Sequence, residues 1–96
     1  MPKAYWVAHV TVEDPTPYAI YAQGATAAFQ KYGGRPLARG GRLVSLEGTE
    51  RLRNVVIEFD SVEAALRCYE SPEYQEAKKH RDGHALADLM IVEGVA

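Results

Sequence analysis

The residues best suited to chemistry gather around GGRPLARGG, residues 33–41, a stretch with four glycines, a proline and two arginines. A planar guanidinium can grip a carboxylate or enolate through two parallel hydrogen bonds. Arg39 is therefore the first substrate-binding candidate, on a strand just ahead of a glycine pair whose bulge would re-aim a side chain toward a site. Its alternative role is a salt bridge, for instance with Glu58. Arg35 shares the expected strand face but lies nearer the strand's start. His9 and Glu58 are the catalytic candidates. Imidazole titrates near neutrality and suits acid–base work, although a mid-strand histidine can simply satisfy a local hydrogen bond. Glu58 sits among apolar neighbours, so it needs a cationic partner or must bind a proton. Arg39 or His9 could supply that partner. A His–Glu–Arg cluster would serve as a site or equally as a polar dimer seam, and strand registers decide whether it forms.

Tyr21, Tyr74 and Trp6 complete the substrate-binding set. The tyrosines could point hydroxyls into a pocket between sheet and helices, while helical spacing also suits them to a core. Trp6 would form a cavity wall. HRDGH places His80 and His84 four apart around Asp82, but Gly83 and the expected helix end break the shared face that ligation needs, so no metal is expected. Cys68 has no paired base and reads as a small buried hydrophobe. RGGR precedes a strand rather than a helix N-terminus, and no dinucleotide fingerprint is present. No cofactor is signalled.

The elements that must position these residues follow from spacing. AYWVAHVTV reads as a first strand, with Tyr5, Val7, His9 and Thr11 on one face and Ala4, Trp6, Ala8, Val10 and Val12 on the other. Asp14 caps a helix that Pro15 begins, Tyr18 to Tyr32 carry its apolar stripe, and Gly33 ends it. The second strand is expected through RPLARGGRLVSL, with Arg35, Leu37 and Arg39 on one face. Pro36 places it at an edge, and Gly40–Gly41 suggests the bulge. NVVIEF is the third strand, with Glu58 and Val56 opposite Val55, Ile57 and Phe59. Ser61 caps a second helix, Ser71 and Pro72 restart a turn, and ALADLMIVEGV is the fourth strand. The expected fold is α+β: a ferredoxin-like βαββαβ chain, with a four-stranded antiparallel sheet of order 4-1-3-2 and two helices on one face.

Residues 1–96 suit one domain, and 47% hydrophobic with 25% charged residues is a globular balance. A formal charge of −2 disfavours nucleic acid and anionic membrane surfaces as partners. No apolar run reaches the roughly 18 residues of a spanning helix. One cysteine allows no intrachain disulfide and suits a reducing cytoplasm. Helices can cover only one sheet face, yet the first strand is apolar on both. A homodimer packing sheet against sheet would bury the second face.

The segments AYWVAHVTVEDP, GGRPLARGG and VVIEFDSVEAALRCYESPEYQEAKKHR, with the closing IVEGV, resemble the domain-of-unknown-function 1330 family of the dimeric α/β-barrel superfamily. The resemblance implies a ferredoxin-like fold and a barrel dimer. Superfamily relatives include cofactor-independent oxygenases, isomerases, decarboxylase-like enzymes and haem-degrading proteins, which is analogy of fold alone. Two readings stand beside each other. One is a cofactor-independent enzyme or binder of a small carboxylate or enolisable carbonyl compound. The other is a non-catalytic homodimeric structural or protein-interaction module.

Overall fold

Strand β1, Ala4–Val12, lies inside the sheet because its alternation offers apolar side chains to both faces. In the computed structural model, which describes residues 2–96, β1 pairs antiparallel with β3, Arg53–Phe59, on one side and β4, Ala85–Glu93, on the other. The short β2, Arg35–Arg39, adds to the outer side of β3. The sheet order is 2-3-1-4, the expected order read from the opposite edge. Pro36, which cannot donate to a ladder, therefore sits on an edge strand.

Three helices, not two, cover one face. Helix α1, Pro15–Lys31, starts where the Asp14 carboxylate accepts from the Thr16 backbone N–H at 3.2 Å. Gly33, at φ 82°, turns the chain out of it in the left-handed region. Helix α2, Val62–Glu70, is capped by Ser61. It breaks from α3, Pro72–Arg81, at Ser71, which is extended at ψ 150°. Proline disfavours helical geometry in the residue before it. The Ser71 hydroxyl then accepts from the Tyr74 N–H at 3.1 Å and donates to the Cys68 carbonyl at 2.6 Å, serving both helix ends.

Between these layers Trp6 is the hub of an aromatic core. Its ring meets Phe29 and Tyr74 edge-on, at centroid distances of 5.0 and 4.9 Å, a favourable alignment for ring quadrupoles. Ile57, Phe59, Cys68 and Tyr74 are fully buried beside it. Burial pushes the Cys68 thiol up to about 11, which keeps it protonated and poorly nucleophilic near neutrality.

The second strand departs from the sequence expectation in two ways. It ends at Arg39, and residues 40–52 run as an irregular loop with Val44 and Leu46 exposed. Its register also shifts between Pro36 and Ala38, so the bulge falls at Leu37 and not at Gly40–Gly41. One extra residue in a strand reverses the facing of everything after it. The shared face expected for Arg35, Leu37 and Arg39 is thus corrected. Arg35 opposes Glu58 on the open face, whereas Arg39 opposes the buried Val55 on the helix-covered side.

Candidate functional site

The bulge delivers Arg39 to a narrow cleft between the sheet and α1, with free space of only about 30 Å³. Trp6, Tyr18, Tyr21 and Phe29 form its aromatic surfaces, and Val10 and Val55 contribute part of the sheet side. Arg39 and Arg53 bring the charge. Neither arginine has a carboxylate within 4.0 Å among the described residues. A mostly apolar cleft with a few converging polar groups is the usual form of a small-molecule site.

Arg53 is absent from the sequence-derived site. Its signal was the period of two, since it leads the run Arg53, Val55, Ile57, Phe59 that faces the helices. Its guanidinium stands 5.6 Å from the Tyr18 ring centroid, within cation–π range. Its Nε is buried and has no hydrogen-bond acceptor. Gly40 explains how it fits. A Cβ on Gly40 would come within 2.8 Å of Arg53 Nη1, and the glycine's φ of 66° is a left-handed value that side chains disfavour. Any side chain at position 40 would push the end of Arg53 aside.

Trp6 and Tyr21 line the cleft, while Tyr74 is wholly buried beneath it. The two tyrosine hydroxyls lie 2.8 Å apart, and Arg81 Nη1 donates to them at 3.3 Å (Tyr21) and 3.1 Å (Tyr74). Burial raises the pKa of Tyr21, and that of Tyr74 far more, so both stay neutral phenols. Tyr74's hydroxyl is thereby committed to this internal network. Arg81 is not among the sequence-derived candidates. Its position seven residues after Tyr74, two turns along one helix face, was the signal available.

His9 and Glu58 lie on the opposite face of the sheet. His9 pairs across strands with Asn54 and Asp88, and Glu58 with Tyr5 and Arg35. The Asn54 amide donates to the Arg51 carbonyl at 2.9 Å, which turns its oxygen toward His9 Nδ1, 2.5 Å away. That nitrogen is the donor of the pair. Glu58 accepts from Arg35 Nε at 3.0 Å and from the Tyr5 hydroxyl at 3.2 Å. The Arg35 bond, more than any other influence, lowers its pKa, leaving an ionised carboxylate. Arg35, not Arg39, is therefore Glu58's partner, and no His–Glu–Arg cluster assembles. Among the described residues no group of three His, Cys, Asp or Glu side chains is placed to hold a metal ion. His84 faces Asp14 at 3.9 Å, and His80 borders a separate shallow groove on α1 and α3.

With this geometry in place, the chain can be set beside known proteins. Residues 3–95 match the Domain of unknown function (DUF1330) family. The chain belongs to that family. DUF1330 carries no stated activity, and no curated protein matches the chain. Among solved structures, a protein of unknown function from Rhodopseudomonas palustris superposes with a TM-score of 0.81 at 20% identity, covering 99% of this chain and 84% of its own. SnoaB from Streptomyces nogalater, described as a cofactor-independent oxygenase, gives 0.70 at 11% identity, covering 100% of this chain and 96% of its own. A dimeric protein of unknown function and ferredoxin-like fold from Bacteroides fragilis gives 0.55 at 13% identity, covering 96% of each chain. At these identities the shared property is the fold, and this DUF1330 chain has the ferredoxin-like one. No helix among the described residues is long and apolar enough to cross a membrane.

Proposed function

We propose that the cleft between the sheet and α1 binds a small, partly apolar carboxylate or enolisable carbonyl compound. The observation that carries this reading is the pair of guanidiniums, Arg39 and Arg53, lacking acidic partners at an aromatic cleft. In such a setting a bound anion takes charge-assisted hydrogen bonds that water would otherwise weaken. Trp6, Tyr18 and Phe29 provide flat apolar surface for the rest of the ligand. The cleft is lined by no histidine or carboxylate, so its chemical contribution is to stabilise negative charge, such as that of an enolate, rather than to remove a proton. SnoaB shows that this fold accommodates oxygenation without a cofactor, which keeps enzymatic use of an enolate within this reading. His9 and Glu58 stand outside this cleft, so a catalytic part for either belongs to the opposite face.

The same reading places the chain in a homodimer closed through that opposite face. Leu86, Met90 and Val92 on β4 are about half exposed there, beside Val7 and Val56. Burying them against a second copy removes an apolar surface that a monomer would leave in water. The Bacteroides fragilis relative, described as dimeric, supports this.

Thermal-shift titration of the wild type and Arg39→Ala with small carboxylates and enolisable carbonyl compounds tests the proposal. Ligand at 100 times its Kd should stabilise the wild type by about 2.7 kcal/mol, and Arg39→Ala should lose that response. No shift in either protein, alongside a markedly less stable variant, would leave Arg39 a structural residue. The non-catalytic homodimeric module would then be the better account.

A further inference from the structure

We infer that Arg53 is a second anion anchor and that the cleft selects planar, conjugated ligands bearing two neighbouring anionic oxygens. This rests on the reading of the cleft as a carboxylate site and narrows its ligand class. Arg39 opposes Val55, and Arg53 precedes Val55 by two residues on the same face. Diagonal neighbours of this kind lie roughly 7–8 Å apart at their Cα atoms, so two long guanidiniums can converge on one small molecule. They differ in setting. Arg39 is exposed, whereas Arg53 is half-buried, with its guanidinium confined between Tyr18 and Gly40.

Two positive charges without a protein carboxylate leave a monoanion one charge short. A second anionic oxygen, from another carboxylate or from an enolate or phenolate beside the first, supplies that charge. Because Nε is closed to solvent, this oxygen would meet Arg53 at the terminal nitrogens. The narrow gap beside Trp6, Tyr18 and Phe29 favours carrying these oxygens on a flat skeleton. The glycine after Arg39 thereby acquires a role in recognition, because it leaves room for the second anchor.

The test compares benzoate, with one carboxylate, and phthalate, with two adjacent ones, by isothermal titration of the wild type, Arg53→Gln and Arg39→Gln. Arg53→Met, which keeps an unbranched stem without the charge, replaces the glutamine variant should that one fail to fold, as judged by its melting curve. Phthalate should bind the wild type at least about tenfold tighter than benzoate, the worth of one added charge-assisted contact. Loss of Arg53 should weaken phthalate by at least about tenfold more than benzoate, erasing that preference. Loss of Arg39 should weaken both ligands. Equal affinities in the wild type, or a preference that survives without Arg53, would overturn the second anchor and leave the carboxylate site standing. Binding of neither ligand to the wild type would overturn both.

Discussion

The two faces of the sheet use the same strands for opposite purposes. On the helix-covered face Trp6, Ile57 and Phe59 are buried without polar partners, and the arginines at its margin face no acid. On the open face nearly every charge is answered. Glu58 takes Arg35 and Tyr5, Asp60 takes Arg35 and Lys3, and Asp88 takes Arg51. Unmet charge beside an apolar cleft is what the proposed ligand would answer, while charge met within the chain belongs to the architecture. Arg35 and Arg39, four residues apart, fall on opposite sides of this division.

The largest break in the comparison should come from β1 itself. Trp6→Ala removes the ring that joins the helices to the sheet and should cost about 3–5 kcal/mol in chemical denaturation, as large core truncations do. His9→Ala, three residues on and facing outward, should stay within about 0.5 kcal/mol at a protein concentration where any dimer has dissociated. Arg81→Leu comes next. It leaves the Tyr21 and Tyr74 hydroxyls with only each other, and a loss of about 1–3 kcal/mol is expected from the same measurement.

Charge on the open face should act on assembly instead. Val56→Glu places a carboxylate among the apolar side chains proposed to meet a second copy, and sedimentation velocity should show a dimer for the wild type and a monomer for the variant. An unchanged sedimentation coefficient would remove Val56 from the interface.

A smaller effect is expected from acid. Glu73 joins α3 to α1 through Lys31 and Tyr32, and the Lys31 hydrogen bond is the main reason its pKa is held at about 2, below the ordinary 4.5. A lowered folded-state pKa gives stability that is present above the unfolded value and fades as pH falls through the folded one. The melting-temperature gap between wild type and Glu73→Gln should therefore be constant above about pH 5 and close toward pH 2. Glu58 shifts in the same direction through Arg35, so the wild type as a whole should weaken across that window. Least of all, Glu58→Gln should leave benzoate affinity in the cleft unchanged, because Glu58 faces away from it.

Much of this could be read from the chain before any coordinates. Strict alternation separates Trp6 from His9 within the first strand and Ile57 from Glu58 within the third, while the pairing of β1 with β3 decides which of these share a face. Asp14–Pro15 and Ser71–Pro72 mark helix starts because their cap chemistry is local. Pro36 marks an edge for an equally local reason, and the family follows from motifs along the whole chain. What only the tertiary structure decided depends on register and on residues distant in sequence. A bulge at Leu37, where no glycine announces it, sends Arg39 to the cleft and leaves Arg35 with Glu58. Arg53 reaches the space above Gly40, and Arg81 reaches Tyr21 across sixty residues of chain. Local spacing determines which way a side chain points along its own strand or helix. Which strand or helix lies opposite it is set by packing of the whole chain, and that partner decides whether a guanidinium is held by the protein or left for a ligand.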